Sequence, residues 1–273
     1  MKLTGRLWVL AGVLLSQPLW AAQTSRGETN CSAGDFTLVQ YDIARLMPPE
    51  KATFIDDPSH ITCVTLPDAP NVLLASYFVP FEKDGYNYHE FGDYFGDYQW
   101  RVATIDRRTG NTISAFEEAV SEDALVSQQS FKLTLEPNVY WLNDTTRAFA
   151  VHRTLYDPPL VADIVTLDHL YLFTEEQGAL VPVLAGLPLY SGYNVFSDDN
   201  LNDVTSYSVK LSPSLLNAQT NGLKNIALAG AVVDENDSPL APLSTQLAFD
   251  GEQYDLSPWQ AAFDAWSAQL TAQ

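Results

Sequence analysis

The chain has 273 residues, with 34 Asp and Glu against 14 Lys and Arg, for a formal net charge of −20. That field repels nucleic acid, whose binders carry basic patches, and favours cationic proteins, cationic peptides or divalent ions. A uniformly acidic surface also serves solubility alone.

Met1 to Arg6 carry two positive charges and no acid, and Leu7–Leu15 form a short apolar run broken by Ser16, Gln17 and Pro18. Nine apolar residues are far short of the roughly 20 that cross a bilayer, so the pattern predicts an export leader. Cleavage after Ala21 leaves a single β-rich domain over 22–273, periplasmic or secreted, and loss of Lys2 and Arg6 takes the net charge to −22. No later stretch reaches 18 uninterrupted apolar residues, so no transmembrane segment is expected. The two cysteines, Cys31 and Cys63, pair most simply as one disulfide in an oxidising compartment. A short helix is expected near Tyr41–Leu46, stopped by Pro48-Pro49.

Residues 77–100 are the most unusual stretch. They hold Tyr77, Phe78, Tyr88, Phe91, Tyr94, Phe95, Tyr98 and Trp100 interleaved with Glu90, Asp93 and Asp97, and Phe91-Gly92-Asp93-Tyr94 recurs at once as Phe95-Gly96-Asp97-Tyr98. The glycines disfavour a helix, so a loop with strand starts is expected. Aromatic faces beside carboxylates suit cationic side chains, sugar stacking or protein contacts. Tyr88, Glu90, Phe91, Asp93, Tyr94, Phe95, Asp97 and Tyr98 are therefore the candidate binding residues. The competing expectation is a long loop whose rings pack onto the sheet.

Farther on, period-two alternation dominates. Leu133 and Leu135 alternate with Lys132 and Thr134. Val165, Leu167, His169, Tyr171 and Phe173 would share one strand face, and Val209 and Leu211 alternate with Ser208 and Lys210. Hairpins are expected at 100–116, at 165–184 around Glu175–Gly178, and at 246–256, where Asp250-Gly251 allows two positive φ angles. Ser257 suits an N-cap and Pro258 the first helical position of a helix over 258–271, with Trp259, Phe263, Trp266 and Leu270 as one stripe. The fold class is mainly β, antiparallel meander and hairpins arranged as a sandwich or an incomplete propeller-like array, with a C-terminal helix.

Common catalytic signatures are missing from the chain: G-x-S-x-G, G-x-G-x-x-G, phosphate loops and C-x-x-C. His89-Glu90-Phe91-Gly92-Asp93 has Asp where a zinc protease needs a second His. Asp198, Asn200 and Asn202 start like a calcium loop, but Val209 stands where its Glu belongs. His169 reads as a hydrogen-bonded sheet histidine, and Asp168 beside it points to the opposite face. No catalytic residue, metal ligand or cofactor is assigned. The expectation is an exported, non-catalytic binding or inhibitory, immunity-type protein whose acidic aromatic surface meets a cationic protein or a glycan. The alternative is an exported glycan hydrolase using Glu90 with Asp93 or Asp97 as paired carboxylates.

Overall fold

The computed structural model describes residues 31–46, 61–81, 97–121, 131–155, 164–196 and 204–271. About two-thirds of them lie in strands, and the chain closes with a helix, as the alternation predicts. No described helix is long and apolar enough to cross a membrane.

The first element is helix α1 (Ala33–Leu46). Its start is capped by Ser32, whose hydroxyl accepts the Asp35 N–H at 3.2 Å and donates to the Asp35 carboxylate at 2.7 Å. The helix begins well before the expected Tyr41, because two of its four buried residues, Asp35 and Asp42, are acids that conceal the stripe completed by Val39 and Ile43. Pro48 and Pro49 lie outside the described residues.

The strands are β1 (Ile61–Leu66), β2 (Ala69–Phe81), β3 (Asp97–Asp106), β4 (Thr112–Ser121), β5 (Phe131–Trp141), β6 (Arg147–Leu155), β7 (Ile164–Glu176), β8 (Ala179–Phe196), β9 (Val204–Thr220), β10 (Leu223–Val233) and β11 (Leu243–Leu247). They join in one sheet of order β1-β2-β3-β4-β8-β7-β6-β5, with β9, β10 and β11 continuing from β8. Every pairing is antiparallel except β4 with β8, which meet in parallel at the single pair Ala115↔Ala179. β5 and β1 lie near each other at the ends of the path, but no backbone pairing joins them and the sheet is not closed.

Three apolar clusters follow from this curl. Trp100, Phe149, Phe173, Leu74 and Leu135 fill one face of β1–β8. Helix α1 covers the other face of β1–β3, where Val39 and Ile43 meet Ile61, Leu73, Tyr77 and Ile105. On β6–β8 the corresponding face is covered by β9–β11 and the C-terminal helix. Strand β7 is therefore buried on both sides from Leu170 to Thr174. Leu170 and Leu172 enter one cluster while Tyr171 and Phe173 enter the other, which is why simple alternation fails there.

The hairpins at 100–116 and 165–184 form where expected. Gln177 (φ 51°) and Gly178 (φ 83°) make the tight turn of the second, and Asn221 (φ 49°) and Gly222 (φ 85°) do the same between β9 and β10. Such paired positive φ values match the twist of the flanking strands. At 246–256 the expected hairpin shrinks to one isolated pair, Phe249↔Tyr254, and only Gly251 has positive φ. The physical reason is that the Asp250 carboxylate takes the N–H groups of Glu252 and Gln253, while the Tyr254 N–H goes to the Val183 carbonyl at 2.7 Å.

The last element is α2 (Ser257–Thr271). The expected cap, Ser257, donates its hydroxyl to Asp255 at 2.7 Å, and the Asp255 carboxylate also accepts the Ser257 N–H at 2.9 Å. Trp259, Phe263 and Trp266 are buried and Leu270 packs beside them, as the stripe predicts.

Candidate functional site

Cys31 and Cys63 form the expected disulfide, which ties the start of α1 to β1. It closes a loop of sequence separation 32 and stabilises by about 3–4 kcal/mol in the chain-entropy model. Of the candidate binding residues, Tyr88, Glu90, Phe91, Asp93, Tyr94 and Phe95 lie outside the described residues. Asp97 and Tyr98 open β3, Asp97 paired with Phe81 and Ser121, Tyr98 with Pro80 and Val120. At the edges of this stretch, Tyr77, Phe78 and Trp100 are core side chains, so for these three the packing expectation holds.

The topology gives the sheet two unlike ends. One end is closed by short connections at 67–68, 107–111, 142–146, 177–178 and 221–222. The register places Ile61, Phe81, Asp97, Ser121, Phe131, Leu155, Ile164, Phe196 and Val204 at the other end, and the parallel β4–β8 pair aligns both halves of the sheet the same way. Segments 82–96, 122–130, 156–163 and 197–203 therefore each leave and re-enter the sheet at this one end, whereas 47–60 leads to it from α1, whose last turn reaches the Gly110 carbonyl at the other end. Together these four connections contain eleven Asp and Glu and a single Lys or Arg, Lys83, whereas the five short connections hold two acids and two arginines.

Most of the described arginines, and Lys224, serve the fold. Arg107 holds Asp35 at 2.8 Å, Arg45 donates to the Gly110 carbonyl at 2.9 Å and Lys224 to the Trp141 carbonyl at 3.0 Å. Arg147 bridges Asp68 and Glu175 at 3.1 and 3.5 Å, and the Arg153 guanidinium lies over the rings of Trp100 and Tyr171 at 5.0 and 5.2 Å. Under α1, Asp42 accepts from Tyr77, Thr112 and the Arg101 Nε, and Arg101 also donates to Glu117.

A second polar chain runs across β5, β6 and β7. The His152 Nε2 donates to Glu136 at 2.8 Å and its Nδ1 faces Asp168 at 3.3 Å, while the Tyr140 hydroxyl donates to Glu136 and Thr154 to Asp168. Burial alone would push the imidazole pKa down, but the hydrogen bonds and charges of Asp168 and Glu136 raise it to about 9. With both nitrogens protonated and donated, His152 has no lone pair for a proton or a metal at neutral pH. Sequence reading missed this chain because its members lie 16 residues apart on neighbouring strands, without a local motif. It did place Asp168 away from His169, and Asp168 turns instead to His152. His169 is held neutral, burial first and then the Arg153 charge lowering its pKa.

The raised pKa has a testable sign. The unfolded value is about 6.5, so the stabilisation by protonated His152 is fully present below pH ~6.5 and lost as pH rises through about 9. Urea midpoints at pH 6 and pH 10 should show wild type losing ~3 kcal/mol more than His152→Gln, which does not titrate. Equal losses would mean that the imidazole is neutral in the folded state.

The Asp234–Asp237 segment is a closed turn: the Asp234 carboxylate accepts the N–H groups of Asn236 and Ser238, bonds that lower its pKa. Asp198, Asn200 and Asn202, like His60 and His89, lie outside the described residues. Among the described residues no group of three or more His, Cys, Asp or Glu is placed to hold a metal ion. The fold is a curled, mainly β scaffold covered by two helices, with one end bearing the long acidic connections. No family model, curated protein sequence or solved structure matches the chain.

Proposed function

We propose that this is an exported, non-catalytic binding or inhibitory protein that presents its acidic, aromatic end to a cationic protein. The observation that carries the reading is that four long connections, with eleven acids and one lysine, all attach to one end of the sheet. Loops gathered at one end of a β scaffold are a recurrent place for recognition. An acidic pole steers a basic partner into encounter, and Tyr88, Phe91, Tyr94, Phe95 and Tyr98 supply contact area once it arrives. The disulfide and the leader-like N-terminus support a periplasmic or secreted site of action.

The test is a titration of a basic cell-wall hydrolase and of cell-wall glycan fragments against wild type and single variants Glu90→Gln, Asp93→Asn, Asp97→Asn and Tyr94→Ala. Binding of the hydrolase should weaken steeply with salt, step by step with each lost carboxylate, and by about tenfold or more in Tyr94→Ala. Binding of glycan alone, indifferent to salt, would replace the partner class. Glycan turnover abolished by Glu90→Gln alone would establish the hydrolase instead.

A further inference from the structure

The sheet forks beside β4. Its first edge is fully paired with β3, but its second edge meets β8 only at Ala115↔Ala179. From Phe116 to Ser121 that edge has no backbone partner among the described residues. An open strand edge presents alternate N–H and C=O groups in register, a template for one more strand. Two glutamates stand on it. Glu117 holds Arg101 and Gln99, Glu118 lies 3.8 Å from Arg153, and their side chains remain 40% and 42% exposed. Ala119 between them and the end of the strand is exposed as well.

Resting on the acidic-end reading above, we propose that this edge of β4 receives an extended, Lys- or Arg-bearing segment of the cationic partner by strand addition. Three features select that occupant. Ser121 lies at the end of the sheet to which the acidic connections attach, so a partner drawn there meets this edge next. Successive strand residues point to opposite faces, so Glu117 and Glu118 offer one carboxylate on each face to the alternating side chains of an added strand. A second copy of this chain would bring the same glutamates against each other, which opposes self-pairing.

The probe is a peptide of alternating Lys and Val, compared with the same peptide N-methylated at alternate backbone nitrogens, which keeps its charge and cannot extend a sheet. With the full chain at low salt, the unmethylated peptide should bind about tenfold tighter and slow hydrogen exchange at alternate amides within 116–121. Ala119→Lys, at an exposed position that tolerates a charge, should weaken it several-fold without lowering the melting temperature. Equal binding of the two peptides with unchanged exchange at 116–121 would overturn strand addition and leave the acidic-end reading standing. Failure of both peptides to bind at low salt would overturn both readings. Concentration-dependent dimerisation that protects 116–121 would assign the edge to a second copy.

Discussion

Replacing Asp42 with alanine should cost about 3–5 kcal/mol of folding stability, the usual penalty for removing one partner of a buried ion pair. Asp42 and Arg101 retain only 3% and 7% of their side-chain exposure. The carboxylate accepts from Arg101, Tyr77 and Thr112, so its loss leaves a buried guanidinium with Glu117 alone and two hydroxyls without their acceptor. Burial, then the Asp42 charge, raises the Tyr77 pKa well above its ordinary value, so the phenol stays a donor at physiological pH. Urea unfolding with the disulfide intact isolates the network, because α1 stays tethered in both proteins. Asp42→Asn keeps the volume and one acceptor and should fall between. A loss below about 1 kcal/mol for alanine would show that water reaches this site.

Trp266→Ala should cost a comparable 3–5 kcal/mol. The indole is 7% exposed, packs edge-on against Tyr193 and Tyr207 at 6.1 and 6.4 Å, and stacks obliquely on Phe263 at 5.3 Å. It joins α2 to β8 and β9, and truncation leaves a cavity where the helix covers the sheet. Leu270→Ala, at the partly buried end of the stripe, should cost less. An unchanged melting temperature for Trp266→Ala would mean that α2 contributes nothing to the folded unit.

The legibility of the chain followed from how local each signal was. Period-two runs such as Leu133 and Leu135, or Val209 and Leu211, announced strands because one face is buried and the other open. The α2 stripe announced itself for the same reason at helical spacing. Helix α1 was legible only at its end, since its buried face uses Asp35 and Asp42, whose partners Arg107 and Arg101 come from distant strand positions. Asp250-Gly251 drew attention through its apolar flanks. The true two-residue hairpin at Asn221-Gly222 was hidden by polar Asn217, Gln219 and Thr220 at the end of β9. The His152 chain and the fork beside β4 depend on which strands become neighbours, and no local pattern encodes that. The aromatic segment was legible as composition. Its attachment to the same end as the other acidic connections became visible only with strand order and register.

The central claim is that the acidic end, and not acidity at large, recruits a partner. The direct measurement is the association rate of a basic cell-wall hydrolase, by stopped flow at low and at physiological salt, with two neutralised variants. One carries Asn or Gln for Glu90, Asp93, Asp97, Asp198 and Asp199 at the long-connection end. The other carries them for Asp144, Glu176 and Glu252, exposed near the short-turn end. Electrostatic steering raises on-rates by about 10- to 1000-fold and is screened over about 8–10 Å at physiological ionic strength. The account predicts that the first variant associates at least tenfold more slowly at low salt, that its rate loses most of its salt dependence, and that the second variant behaves as wild type. Equal slowing in both variants, or a wild-type rate indifferent to salt, would contradict it.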